Sequence, residues 1–248
     1  MVLHFRDVSC YHDPTAYDLA FAFRDFEREV DFLLSVAPPA VTAAVELAAG
    51  SARHARALAA RGVTPFAVER EPGSVAWLSA HAPEVRPVLA DLRDFRLPQP
   101  VELAFCPLSG FAYLLDDDSW HAALDAVHDA LTPGGALVLE LAPHDARRAE
   151  ADTWTMTEGD ATVVAEAGAC LAAAGGVFTW ELRLTLRRGD GVSVSSGSER
   201  QRDVSAAQVA RLLRGHGGFG PMATYDGYDR RRRYRGGPSL VCACVKRG

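Results

Sequence analysis

Apolar residues recur at helical spacing from Asp13 to Val36, at Leu19, Phe23, Phe26, Val30, Leu33 and Leu34. That spacing predicts one helix, ended by Pro38-Pro39. Ala40 to Leu47 is a short unbroken apolar run, suited to a strand buried in a parallel sheet. The same alternation continues: a helix over Ser51 to Arg61 stopped by Gly62, a strand over Val63 to Val68, and a helix over Pro72 to His81 with proline in its first turn. Strands follow at Val85 to Leu89 and Val101 to Cys106, then a helix from Asp117 to Leu131, and a strand from Ala136 to Leu141. Strand and helix at this spacing predict a parallel sheet with helices on both faces.

The pattern changes after residue 150. Runs rich in Val, Thr, Trp and Leu between Asp152 and Arg202 are broken by Gly159-Asp160 and Gly189-Asp190-Gly191, which predicts antiparallel hairpins. Thr179 to Arg188 and Val192 to Arg202 form one such pair. Ser205 stands at the N-cap of a helix reaching His216, and Ser239 to Val245 reads as a last strand. The expected organisation is a single domain: a cap over 1–39, a core over 40–148, a β-rich insert over 149–202 and a C-terminal helix with strands over 203–248. The insert has two readings, a cover over a pocket or a subunit interface in a homo-oligomer.

Composition narrows the function classes. The 248 residues are 48% hydrophobic and 23% charged, ordinary for a globular chain. Of the 26 basic residues only Lys246 is a lysine, a bias that fits GC-rich coding rather than arginine chemistry. A net charge of −6 argues against nucleic acid as the partner, because phosphate neutralisation needs a basic surface. The run Arg230-Arg231-Arg232-Arg233 is most simply a solvated loop. The five cysteines contain no C-x-x-C pair, so neither a disulfide framework nor a zinc site is expected, and no metal is implied. No run of about 18 apolar residues occurs, so no membrane partner is expected, and the opening residues lack a signal-peptide core; the reading is cytoplasmic.

The segment Val45-Glu46-Leu47-Ala48-Ala49-Gly50-Ser51-Ala52-Arg53-His54 passes from strand to helix through small residues, as required where a ligand approaches backbone closely. Nineteen positions past Gly50, at the end of the next strand, stands Glu69. An acidic residue about 20 positions on is where a ribose hydroxyl is held in a nucleotide-binding βαβ unit. Ala48 and Arg53 occupy positions where a G-x-G-x-x-G fingerprint needs glycine, which counts against a nicotinamide dehydrogenase.

Four ordered motifs carry a resemblance over roughly residues 13 to 142. Glu46-Leu47-Ala48-Ala49-Gly50-Ser51-Ala52-Arg53 resembles the first motif of class I S-adenosylmethionine-dependent methyltransferases of the small-molecule type. Val68-Glu69 is similar to the acidic end of their second strand, Ala90-Asp91-Leu92-Arg93-Asp94-Phe95 to their G-D-M-R-D-F segment, and Leu131-Thr132-Pro133-Gly134-Gly135 to their L-x-P-G-G turn. Tyr17-Asp18 resembles a pair that borders the cofactor in this group. The resemblance implies an α/β, three-layer, Rossmann-like fold: a seven-stranded mostly parallel sheet with an antiparallel hairpin insert and an N-terminal helical cap. It implies S-adenosyl-L-methionine as cofactor, S-adenosyl-L-homocysteine as product, and a methyl group moved to a nitrogen or oxygen of a small metabolite, for instance in natural-product biosynthesis. Gly50 and its neighbours Glu46, Ala48 and Arg53 would hold the methionine end, Glu69 the ribose, and Asp91 with Leu92 the adenine, with Arg70 a further cofactor-binding residue. Cys106, Pro107 and Leu108 would lie beside the sulfonium, and Tyr17 would border the site. Ala52 departs from the glycine of the first motif and adds a methyl where backbone and ligand crowd.

Acceptor residues are expected from loops after strands and from the cap. Tyr11, His12 and His144 are the candidate catalytic side chains; Tyr11, Phe111, His144, Trp154 and Tyr225 are the candidate acceptor-binding ones. Cys106-Pro107-Leu108-Ser109 lacks the Asp/Asn-Pro-Pro-aromatic sequence of base-amine methyltransferases, which again disfavours nucleic acid. Two alternatives keep the fold: an S-adenosylmethionine-binding protein doing non-methylating chemistry, and a non-catalytic binding module.

Overall fold

The computed structural model describes residues 11, 13–143, 152–168, 171–173 and 176–248. Strands β1 (Ala43–Leu47), β2 (Thr64–Glu69), β3 (Arg86–Leu89), β4 (Val101–Cys106) and β5 (Leu131–Leu141) lie parallel, in the order 5-4-1-2-3. β11 (Ala223–Asp226) and β12 (Leu240–Val245) complete seven strands, β12 antiparallel to both β5 and β11. All five residues of β1 are buried, which is why its sequence is an apolar run interrupted only by Glu46. Helices α3 (Arg53–Ala59), α4 (Pro72–His81), α5 (Asp117–Ala130) and α6 (Ala206–His216) supply the outer layers. The α/β, three-layer, Rossmann-like expectation is borne out.

The expected helix over Asp13 to Val36 is two helices, α1 (Pro14–Ala20) and α2 (Phe26–Val36). Asp13 and Asp25 each cap one N-terminus, accepting from Ala16 N at 2.9 Å and Arg28 N at 3.1 Å. The break swings Arg24 inward, a demand that hydrophobic spacing cannot register. Ser205 caps α6 through a full capping box with Gln208. Pro133-Gly134-Gly135 is not a turn before a strand but a bulge inside β5, where the register to β4 slips between Val101 and Leu103.

A second sheet has the order β10-β9-β7-β6, from β6 (Asp152–Glu158), β7 (Ala161–Ala167), β9 (Val177–Arg188) and β10 (Gly191–Arg202), with β8 (Leu171–Ala173) beside β9. Its neighbours are all antiparallel, as the hairpin signals predict. Val163, Ala165, Leu182 and Leu184 pack against Ala16, Leu19 and Ala20 of α1. The insert thus braces the cap helix from behind. Among the described residues, no helix is long and apolar enough to cross a membrane.

Candidate active site

A cleft of about 370 Å³ opens at the C-terminal ends of β1, β2 and β4, closed over by α1 and the start of α2. This is where an open α/β sheet reverses its strand order and leaves a crevice. The turn after β1 is strained: Ala48, Gly50 and Ala52 all take left-handed backbone, with φ of 50°, 54° and 53°. Gly50 N–H donates to Glu69 Oε2 at 2.9 Å. The other oxygen of Glu69 accepts from Arg70 N at 2.7 Å and Glu71 N at 2.9 Å. The carboxylate, spaced nineteen positions away in sequence, is therefore fixed against the glycine turn. Beside it Arg93 grips Asp91 at 2.7 and 2.9 Å, and that guanidinium holds the Asp91 carboxyl below its usual range.

The opposite wall is Pro107 and Leu108. Leu108 and Ser109 are both left-handed, at φ 52° and 61°. Gly110 follows, and a Cβ there would stand 2.5 Å from Cys106 Sγ and 2.8 Å from Ala48 Cβ. Only glycine allows the two cleft-forming turns to approach this closely.

Behind the first-turn side of the cleft runs a buried charge network. His54 Nε2 is 2.6 Å from Glu29 Oε2, and its Nδ1 is 3.4 Å from Glu46 Oε1. Burial favours the neutral ring, but hydrogen bonds to the two carboxylates outweigh it and raise the pKa to about 9. Glu46 also accepts from Ala55 N at 2.7 Å. Arg24 joins Glu29 at 2.8 Å to Glu140 at 2.9 Å. Burial would raise the Glu140 pKa, yet the Arg24 charge and the Leu108 N–H bring it below the carboxylate norm.

The cleft wall includes Tyr11, Tyr17, Glu46, Ala48, Gly50 and Arg53 on the cap and first-turn side, with Glu69, Arg70, Asp91 and Leu92 along the second and third strands. Arg53 is committed to Asp18, at 2.7 and 2.6 Å. The Tyr11 hydroxyl is hydrogen-bonded to that of Tyr113. Four expected residues lie elsewhere. Cys106 is behind the wall, its thiol donating to Leu47 O at 3.3 Å and pushed up in pKa by burial. Phe111 is fully buried, edge-on to Trp120 at 5.1 Å. Trp154 donates its indole N–H to Ala20 O at 2.7 Å and backs Phe21, one layer outside the cleft. Tyr225 sits on β11, a strand that the hydrophobic pattern does not mark, and packs on Phe32 at 5.2 Å. His12 and His144 lie outside the described residues. Ala52 is fully buried in an apolar cluster with Ala49, Ala55, Ala67 and Leu78, so its methyl does not crowd the cleft.

Sequence reasoning missed Arg24, Glu29, His54, Gly110 and Glu140. One signal was present: Glu46 and Glu140 are single carboxylates inside apolar strand runs, where an unpaired charge would be costly. No group of three or more metal-ligating side chains occurs among the described residues.

Residues 44–135 match a family model described as a methyltransferase domain, and the fold is that of class I, Rossmann-like methyltransferases. Similar solved structures span nearly the whole chain. An S-adenosylmethionine-dependent methyltransferase from Clostridium acetobutylicum has a TM-score of 0.76 at 15% identity, covering 97% of this chain and 100% of its own. The sugar N-methyltransferase KedS8 from Streptoalloteichus has 0.76 at 22%, covering 94% and 93%. CalS10, an amino pentose methyltransferase of calicheamicin biosynthesis from Micromonospora echinaspora, was solved with S-adenosylmethionine bound; it has 0.73 at 19%, covering 99% of both chains. No curated protein sequence matches the chain.

Proposed function

We propose that the cleft binds S-adenosyl-L-methionine and that the protein moves its methyl group to a nitrogen of a small metabolite, with S-adenosyl-L-homocysteine as product. The observation that carries this is the pairing of the Gly50 turn with Glu69: a fixed carboxylate beside a left-handed turn offers acceptors to a ribose diol. The cofactor fits what is present, since the cleft offers these polar ends, an apolar stretch at Ala90 and Leu92, and room for a small ligand. When bound, it supplies a methyl group on a sulfonium.

In this reading Glu69 accepts the ribose hydroxyls, Asp91 and Leu92 border the adenine, and Glu46, Ala48, Gly50 and Arg53 surround the methionine end. Arg70 and Tyr17 flank these groups, and Pro107 with Leu108 forms the wall that the acceptor meets. The chain's task is alignment and exclusion of water, because displacement at a sulfonium needs little else. Nitrogen is favoured over oxygen by His54. It is the described histidine on the cleft, and its two carboxylate partners keep it protonated at neutral pH. A neutral amine attacks without a base, whereas a hydroxyl needs proton removal. The solved relatives that act on a sugar nitrogen and an amino pentose support an amino sugar as acceptor.

Calorimetry with S-adenosylhomocysteine tests the first half: no saturable binding ends the proposal. Incubation of the protein and S-adenosylmethionine with a panel of free and nucleotide-linked amino sugars and their hydroxyl counterparts tests the second. A product heavier by one methylene on the amine supports it. Gain on the hydroxyl counterparts overturns the nitrogen reading, and a product lacking that gain favours non-methylating chemistry.

A further inference from the structure

Glu140, near the end of β5, does not itself line the cleft, yet its carboxylate is saturated by donors from four residues on three stretches of chain. Arg24 Nη1 and Nη2 donate at 3.2 and 2.9 Å, from the turn between α1 and α2. Leu108 N–H donates at 2.8 Å from the segment after β4. Tyr228 hydroxyl, at 3.1 Å, and Ser239 hydroxyl, at 3.2 Å, donate from the C-terminal segment. Glu140 also acts through its backbone, accepting Ser109 N–H at 3.2 Å. Ser109 Oγ in turn accepts Ala142 N–H at 3.0 Å.

These bonds converge on the two consecutive left-handed residues of the cleft wall. Non-glycine residues hold such a conformation only where their surroundings over-determine it. Here the determinant is a buried carboxylate. A buried carboxylate keeps its charge, and so its strength as an acceptor, only while a cation faces it. The cation in direct contact is Arg24, which belongs to the cap and not to the sheet, with the His54 charge acting on Glu140 from farther off. Its guanidinium also lies 5.6 Å from the Tyr228 ring, and the same nitrogen that meets Glu140 meets Glu29 on α2.

We propose that Glu140 is a positioning residue that ties the cap to the acceptor wall: Arg24, seated by α1 and α2, holds Glu140, and Glu140 holds Leu108 and Ser109 in the shape the cleft requires. The wall is then conditional on the cap. A displaced cap leaves Glu140 without its cation, and Leu108 with a weaker acceptor. The proposal deepens the methyl-transfer reading of this cleft, although the coupling itself is a property of the apoprotein.

Hydrogen exchange on the intact chain tests it, read by mass spectrometry on peptides covering 107–114 and, as reference, 43–47. Arg24→Met is expected to speed exchange in the wall peptide by about tenfold, the scale of one lost bond to a charged group, and to leave the reference peptide unchanged. Arg24→Lys restores a cation and is expected to recover most of the protection. A merely structural role for Arg24 would loosen both peptides together, or would not respond to lysine; either result overturns the proposal. Unchanged wall exchange in Arg24→Met overturns it as well. Should Arg24→Met fail to fold, Tyr228→Phe removes one donor without removing the charge and is expected to raise wall exchange modestly, with no change overturning the idea. Calorimetry with S-adenosylhomocysteine on the unaltered protein is read separately: absence of binding sinks the methyl-transfer reading, and the exchange result still decides the coupling.

Discussion

His54 Nε2 stands 2.6 Å from Glu29 Oε2, a contact between the helix that follows the first turn and the helix of the cap. The ring is 1% exposed and its pKa is raised to about 9. A pKa raised in the folded state means stability that is fully present below the unfolded value near 6.5 and lost as pH climbs through about 9. The shift corresponds to roughly 3 kcal/mol. Chemical denaturation at pH 7, 8, 9 and 10 should therefore show a falling unfolding free energy. The gap between the protein and His54→Gln should narrow across that range; a gap that stays constant would show that His54 is not protonated at pH 7.

Glu69 accepts three backbone N–H groups and is proposed to accept the ribose diol. Hydrogen bonds to a charged acceptor are each worth about 1.5–3 kcal/mol. Glu69→Ala should weaken S-adenosylhomocysteine binding by about 100-fold or more, since two such bonds are lost. Glu69→Gln, which retains one oxygen, should fall between. Equal affinities in calorimetry would remove Glu69 from the site.

Ala52 and Gly110 reverse the importance that the sequence suggests. Ala52→Gly relieves a left-handed alanine but also removes a buried methyl, terms of about 1 kcal/mol each with opposite sign. Its stability should stay within about 1 kcal/mol of the parent, and its S-adenosylhomocysteine affinity should not change. Gly110→Ala instead drives a methyl into Cys106 Sγ and Ala48 Cβ. Overpacking of this kind costs about 1–3 kcal/mol, visible as a lowered Tm, and should distort the cleft enough to weaken ligand binding.

Cys106, Cys242 and Cys244 are buried free thiols, and burial drives the last two up to about 12 and Cys106 further. The thiolate is the reactive form. Iodoacetamide at pH 8 should leave all three unmodified in the folded protein and label them after denaturation. Rapid labelling of Cys106 in the folded state would show an open path to the wall.

The parallel half was legible because its inner strands are buried on both faces and its helices on one, so apolar runs and helical spacing mark most elements. The polar half of the site was less so. Gly50 and Glu69 could be paired because their separation of nineteen residues follows from the length of one βα unit. Arg24, Glu29, His54 and Glu140 come from four elements, and no local spacing relates them. The pairing of Tyr225 with Val241 across β11 and β12 escaped for the same reason: four half-buried residues without alternation give no strand signal. Trp154 and Phe111 look like binding platforms in sequence, because aromatic residues after strands serve either purpose. Only packing assigns them to the layer behind.

The antiparallel placement of β12, between β5 and β11, has a bearing on synthesis. Leu108 is made some 130 residues before Ser239, and both meet at Glu140. A growing chain that has released all five parallel strands therefore still has a carboxylate at the end of β5 with part of its donor set missing. Glu140 therefore gains its full donor set only after Tyr228 and Ser239 have emerged.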